Sequence, residues 1–267
     1  MNIERLRKII EYSDLNSADM EVKVKKFYSY VGMSSDKEVL NIMQIARPSF
    51  LKKGYLVLEL PFDDEEIGAL CYKGDALGYI VLNTSVPKVN VNFAIGHELY
   101  HVFYQGSEFC SKVEFANERY YEREEEYAAN LFAGMLLMPE ASFRFMYSKF
   151  QKESDGQMKD TIVRLMNYYQ VPYMSVLIRC YELGMSGTES ISEELMNLDR
   201  ESIRKRFTEL WLDDSILNAT RKDDYVSLEA LVERIGQECI KDSYINERTF
   251  RKVLQNMRTL YSKIKGE

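Results

Sequence analysis

The chain has 267 residues, of which 46% are hydrophobic, so it can bury a full core in one large domain or two smaller ones. Its 35 basic and 42 acidic residues give a formal net charge of −7, which excludes an overall positive surface for nucleic acid or an anionic membrane. No run approaches the ~20 apolar residues of a membrane span, and the N-terminus lacks the apolar core of a signal peptide. We therefore expect a soluble, cytoplasmic protein without a membrane partner.

The sequence up to residue 83 predicts helices followed by a small sheet. Apolar residues at three- and four-residue spacing predict three helices, over residues 3–12, 18–31 and 37–47. The period then changes, and β-rich segments alternate with the turn-forming sequences PFDDEE and KGDA. These segments predict a three-stranded antiparallel sheet with strands at 55–60, 67–72 and 77–82.

From about residue 90 onward the helical period returns. Five helices are predicted, over residues 90–105, 118–137, 140–151, 157–169 and 173–183. The glycine- and serine-containing run GMSGTES is the best candidate for a domain boundary, and about four further helices are predicted in residues 191–264. We expect an α+β fold, mostly helical, with one domain at residues 1–186 and a C-terminal helical domain of unknown role at residues 187–267.

The segment AIGHELYHVFYQ contains both histidines of the chain, His97 and His101, on one predicted helix. At i and i+4 they lie on the same helix face, so both imidazoles can reach one ion. Glu98 is rotated away from that line but stays close enough to contact a water molecule on the ion, as HExxH zinc hydrolysis requires. Because the chain uses histidine nowhere else, the spacing favours a metal site over chance.

A third ligand must come from elsewhere, because a catalytic zinc takes three protein ligands and no third histidine exists. A carboxylate is expected, and the Cys110 thiolate is the alternative. The other cysteines are far apart and form no CxxC pair, so they predict neither a disulfide framework nor a cysteine zinc cluster. In the predicted helix over 118–137, Glu122 and Glu126 share a face with Asn130. Glu126 is favoured because it is the last acid before the apolar half, and Asn130 is placed to hold a ligating histidine.

The segments NFAIGHELYHVFY and EEEYAANLFAGMLLMP resemble the ImmA/IrrE family of metallopeptidases, which join a HExxH helix to a second helix of the form ExxA[ND]xFAxxLxMP. The matching positions are Glu126, Ala129, Asn130, Phe132, Ala133, Leu136 or Leu137, Met138 and Pro139. The resemblance covers about residues 20–186 and also favours Glu126 as third ligand. It implies a zincin-like domain and the intracellular cleavage of a DNA-binding repressor that controls a mobile element or a stress response.

The predicted reaction is peptide-bond hydrolysis by a metallo-endopeptidase. His97, His101 and Glu126 would bind Zn²⁺, with Mn²⁺ as the other ion that suits this ligand set. Glu98 would act as general base and then general acid. The expected partner is a protein substrate, a helix-turn-helix repressor.

A second hypothesis is a catalytically silent metal-binding sensor or protein-interaction module of the same fold. Such a protein would keep the three ligands but would not need Glu98. Direct nucleic-acid binding through the basic last helix is not expected, because residues 191–264 carry near-balanced charge. The residue that stabilises the oxyanion, the cleavage site, the activating signal and the oligomeric state are not determined by the sequence.

Overall fold

A computed structural model gives the positions of residues 2–34, 37–64, 67–73, 78–105, 124–188 and 190–266. In these residues the protein is mostly helical and contains one small sheet, so the expected α+β class is confirmed. Within the same ranges no helix combines the length and the apolar character that crossing a bilayer requires.

A single helix, α1 (Ile3–Tyr30), occupies the region for which the sequence predicts two helices. The sequence SDLNS (13–17) favours a break, because its polar side chains compete for backbone hydrogen bonds. The helix nevertheless continues, since one face is buried along its whole length through Leu6, Ser13, Met20, Val24 and Phe27. Tertiary packing of that face outweighs the local preference.

The second helix, α2 (Ile42–Lys52), begins later than the predicted helix over 37–47. Its start is set by Asn41, whose side-chain oxygen accepts a hydrogen bond from the backbone N–H of Met43 at 3.1 Å. This cap satisfies one of the backbone donors that a helix leaves unpaired at its first turn.

The sheet contains β1 (Tyr55–Leu60), β2 (Ala69–Lys73) and β3 (Gly78–Asn83) in the order β1-β3-β2. It is mixed, so the prediction of a wholly antiparallel sheet is wrong: β3 pairs parallel to β1 and antiparallel to β2. The most buried strand, β3, takes the centre, whereas β2 has no fully buried residue and forms an edge. Gly78 opposes Tyr55, and a Cβ atom there would lie 2.3 Å from the tyrosine ring.

Asn83, at the end of β3, fixes the segment that carries the chain away from β1. Its side chain is fully buried and accepts hydrogen bonds from the backbone N–H groups of Phe62 (3.1 Å) and Ser85 (2.9 Å). Its amide donates to the carbonyl oxygens of Asp64 and Ile67, both at 2.7 Å. These bonds hold the chain on its way to the far edge of the sheet, so β2 does not pair with β1.

The helical half follows the predicted order closely. Its helices are α3 (Lys88–Tyr104), α4 (Glu124–Leu137), α5 (Glu140–Glu153), α6 (Met158–Tyr169) and α7 (Tyr173–Glu182). A proline directly precedes α3, α5 and α7, where a missing N–H costs no helical hydrogen bond. The first residues of the predicted helix over 118–137 lie outside the described residues.

The C-terminal region is helical, as predicted. It contains α8 (Glu193–Met196), α9 (Arg200–Glu209), a short 3-10 helix (Asp214–Leu217), α10 (Tyr225–Lys241) and α11 (Glu247–Ile264). Arg206 on α9 contacts the buried carboxylate of Asp160 on α6 through two nitrogens, at 2.5 and 2.7 Å. The backbone N–H of Glu59 donates to the Asp224 side chain at 3.0 Å. The domain boundary at residue 187 remains a prediction, and these contacts connect the regions before and after it.

Candidate metal centre

Two neighbouring helices, α3 and α4, carry the candidate ligands and approach each other closely at Gly96. A Cβ atom added at Gly96 would lie 3.2 Å from Cβ of Ala133 and 3.4 Å from its Cα. Side chains rarely pack that tightly, so glycine allows a separation that a larger residue would widen. The contact aligns His97, which follows Gly96, with Asn130, which lies one turn before Ala133.

Three potential ligand groups meet between the helices: His97, His101 and Glu126. The Nε2 atoms of the two histidines are 2.9 Å apart. The carboxylate oxygens of Glu126 lie 3.2 Å from Nε2 of His97 and 3.7 Å from Nε2 of His101. Donors held ~2.0–2.2 Å from a tetrahedral zinc ion are roughly 3.3–3.6 Å apart. Two of the observed separations are slightly shorter than that range and one is slightly longer. Two imidazoles with one carboxylate form a ligand set that catalytic zinc uses.

Each histidine is held through its other ring nitrogen. Nδ1 of His97 lies 3.0 Å from the side-chain oxygen of Asn130, and Nδ1 of His101 contacts the side-chain oxygen of Gln105. The amide of Gln105 in turn donates to Glu125 at 2.7 Å. With each Nδ1–H group donating a hydrogen bond to its amide oxygen, the Nε2 lone pairs of both rings are directed at the shared position. Sequence reasoning missed Gln105, although its i+4 position after His101 is a signal that could have found it.

The surroundings shift the pKa values of the two histidines in opposite directions. Burial lowers the pKa of His97, but its hydrogen bond to Glu126 and the charges of Glu126 and Glu98 outweigh burial, so the pKa of His97 is raised overall. Burial and the charge of His97 lower the pKa of His101 to about 4. His101 is therefore neutral near pH 7, the form that can donate a lone pair to a metal.

Glu98 is buried on α3 beside the three candidate ligands. Only 7% of its surface is exposed, and its Oε2 atom has no hydrogen-bond partner among the described residues. Burial raises the pKa of Glu98 to about 7, although the charge of His97 opposes this shift. A carboxyl group with a pKa near 7 can both accept and return a proton at neutral pH.

The region that contains both helices of this centre matches a known protein family. Residues 51–181 match the profile of the IrrE N-terminal-like domain, Peptidase_M78. This part of the chain belongs to that family. The resemblance to ImmA/IrrE proteins is thereby confirmed, and the IrrE N-terminal-like domain has a metallopeptidase-like fold.

One solved structure similar to this chain is a Mycobacterium tuberculosis transcriptional regulator, with 16% sequence identity and a TM-score of 0.47. The match covers 70% of this chain and 54% of the regulator, so the chain spans about half of that protein's length. No curated protein sequence matches the chain significantly.

The IrrE N-terminal-like domain brings together all five residues that the sequence singles out: His97, Glu98, His101, Glu126 and Asn130. Glu124 and Glu125 are exposed on α4. The alternative ligand Cys110 and the acid Glu122 lie outside the described residues.

Proposed function

We propose that the protein is a zinc-dependent intracellular endopeptidase, in which His97, His101 and Glu126 bind the ion and Glu98 moves protons. The observation that carries this proposal is the position of Glu98, a buried carboxyl group with an oxygen that has no partner among the described residues. Burying such a group is unfavourable unless it is paired or used in chemistry. A site that only binds metal needs the three ligands but not Glu98.

Each residue of the metal centre has its own chemical role. When bound, zinc supplies a Lewis acid that polarises the substrate carbonyl and acidifies water. Glu98 accepts a proton from the attacking water and returns it to the leaving amine. Asn130 and Gln105 keep the two imidazole rings oriented, so that their Nε2 atoms would be free to hold the ion. Mn²⁺ is the alternative ion for the same ligand set.

We further propose that the substrate is a DNA-binding transcriptional repressor of the helix-turn-helix type, cleaved in the cytoplasm. This choice is supported by the ImmA/IrrE resemblance, with which the match over residues 51–181 agrees. The C-terminal helices after residue 187 are then candidates for contacting that repressor.

Metal content is the first test. Elemental mass spectrometry on protein purified without a His tag should give about one zinc per wild-type chain. His101→Ala and Glu126→Ala should lose most of it, because each removes one of the three ligands. Glu124→Ala is the matched control, since Glu124 lies two residues before Glu126 but is exposed. Absence of metal from wild-type protein, even after micromolar zinc is offered, would contradict the proposed site.

A second test separates the enzyme from a silent metal-binding module. Glu98→Gln keeps the size of the side chain and all three ligands but removes the proton acceptor. We expect this variant to retain zinc and partner binding while cleavage of a repressor or a peptide library falls below about 1% of the wild-type rate. Full cleavage by Glu98→Gln would refute the mechanism. Absence of cleavage by zinc-loaded wild-type protein, with partner binding retained, would favour the binding module.

A further inference from the structure

A cavity of about 200 Å³ lies between α1, α3, α4 and α7, and one of its lining residues, Asn130, contacts the candidate ligand His97. Its apolar wall consists of Ile9, Phe93, Leu131, Met174 and Ile178. Pockets that enclose a drug-sized ligand are typically ~300–1,000 Å³, whereas a cavity of ~150 Å³ holds benzene. The cavity therefore has the size for one aliphatic or aromatic side chain, and it is too small for a bulky cofactor.

Two residues connect the cavity to the metal centre. Asn130 lines the cavity, and its side-chain oxygen contacts Nδ1 of His97 at 3.0 Å. Phe93 also lines the cavity and precedes His97 by one helical turn on α3. One turn advances ~5.4 Å, and successive residues of an extended peptide are ~3.3 Å apart. A peptide whose scissile bond lies at the metal centre can therefore direct the side chain of an adjacent residue into the cavity.

The polar residues of the lining do not favour a charged occupant. Arg5 and Glu182 are one basic and one acidic residue, so the lining has no net formal charge. Tyr12 and Tyr127 stack with their ring centroids 5.6 Å apart and add aromatic surface. Burial against such walls is favourable for an uncharged apolar side chain, whereas a charged side chain would lose its hydration.

We propose that this cavity is the specificity pocket of the peptidase and binds one large, uncharged apolar side chain of the substrate next to the scissile bond. The assignment rests on the proposed peptidase function. It specifies the substrate further, as a protein segment that presents a large apolar residue at the cleavage site.

Gly134 offers a way to fill the cavity while leaving the ligands in place. It is buried in α4 and lines the cavity, and a Cβ atom added there meets no atom within 4 Å. Gly134→Leu should therefore occupy the cavity, and leucine is a better helix former than glycine. Ile178→Ala is the opposite change, because it enlarges the same cavity from α7.

The experiment measures binding and cleavage separately on the full chain loaded with zinc. Binding of N-acetyl-phenylalaninamide is followed by NMR titration, with N-acetyl-glycinamide as the probe that has no side chain. Cleavage is followed with a peptide library, and the preferred residues beside the cleaved bond are read by mass spectrometry. Circular dichroism and zinc content show that each variant is folded and loaded.

Wild-type protein should bind the phenylalanine amide in preference to the glycine amide, and Gly134→Leu should weaken that binding at least about 10-fold. In the library, Gly134→Leu should shift the preference towards small residues and Ile178→Ala towards larger aromatic ones. Unchanged binding and preference in a folded Gly134→Leu variant would overturn the pocket while leaving the peptidase intact. Binding that depends on Gly134 without any cleavage would support the pocket and count against the peptidase. Failure of wild-type protein to bind the phenylalanine amide would overturn the pocket.

Discussion

The two buried glycines of the helix pair, Gly96 and Gly134, should respond in opposite directions to the same substitution. Both lie within helices, and both are buried. Gly96→Ala places a methyl group 3.2 Å from Cβ of Ala133, whereas Gly134→Ala places one in open space. Comparing the two alanine variants therefore separates the effect of the close approach of α3 and α4 from the general effect of adding a methyl group to a helix.

The expected magnitudes follow from these distances. Replacing glycine by alanine inside a helix stabilises it by about 1 kcal/mol, and Gly134→Ala should show this gain in full. At Gly96 the helices must separate by a few tenths of an ångström, and overpacking of this kind costs about 1–3 kcal/mol. Gly96→Ala should therefore change the free energy of unfolding by between about zero and −2 kcal/mol. The two variants should differ by about 1–3 kcal/mol.

Urea denaturation followed by far-UV circular dichroism, in the presence of a chelator, gives the free energies of unfolding. A zinc titration of the same proteins should show weaker binding for Gly96→Ala only, because the helix that carries Glu126 moves away from His97 and His101. Equal stabilisation by both alanine variants, with unchanged zinc affinity, would refute the idea that Gly96 sets the spacing of the ligand helices.

Three further outcomes are expected. In chelator-treated protein, Glu98 should lower the free energy of unfolding by up to about 3 kcal/mol as pH rises from about 5 to about 8, because its folded pKa of about 7 lies above the ordinary value of 4.5 and its protonated form is favoured in the fold. His101, whose pKa is lowered to about 4, acts in the opposite direction over the same range. Denaturant titrations at several pH values should show the Glu98 contribution as the difference between wild-type protein and Glu98→Gln, in which His97 and His101 still titrate. Asn83→Ala removes four hydrogen bonds from a buried site and should destabilise the protein by about 2–4 kcal/mol, measured by denaturation, with the exposed Asn256→Ala as a neutral control. Burial raises the pKa of Cys71 and Cys180, so iodoacetamide at pH 8 should modify both thiols more slowly in native than in unfolded protein. Mass spectrometry of the peptides that contain them measures the two rates, and equal rates would contradict the burial.

The predictions that agree best with the structure depend on contacts within one helix. His97 and His101 are four residues apart, so helical geometry alone places their rings on one face. Glu126 and Asn130 have the same spacing on α4. The order of the helices after residue 88 also follows from local periodicity, since amphipathic segments reveal their buried face in the sequence.

The predictions that fail depend on which surfaces pack together. Local preference at SDLNS predicts two N-terminal helices, whereas burial along the whole face of α1 keeps one helix continuous. Three short strands joined by turns predict an antiparallel sheet, whereas the burial of β3 and the hydrogen bonds of Asn83 place it between the other two. Neither outcome can be predicted from ten consecutive residues of the sequence.

The sequence by itself determined the kind of ligands, their spacing on each helix and the helical character of the chain, because these depend on residue type and on a fixed helical repeat. Only the tertiary structure decided how closely the two ligand helices approach, which nitrogen of each histidine faces the shared position, and that Asn130 also lines a cavity. Those features arise where side chains distant in sequence meet. They are set by the packing of a whole interface and not by any single segment.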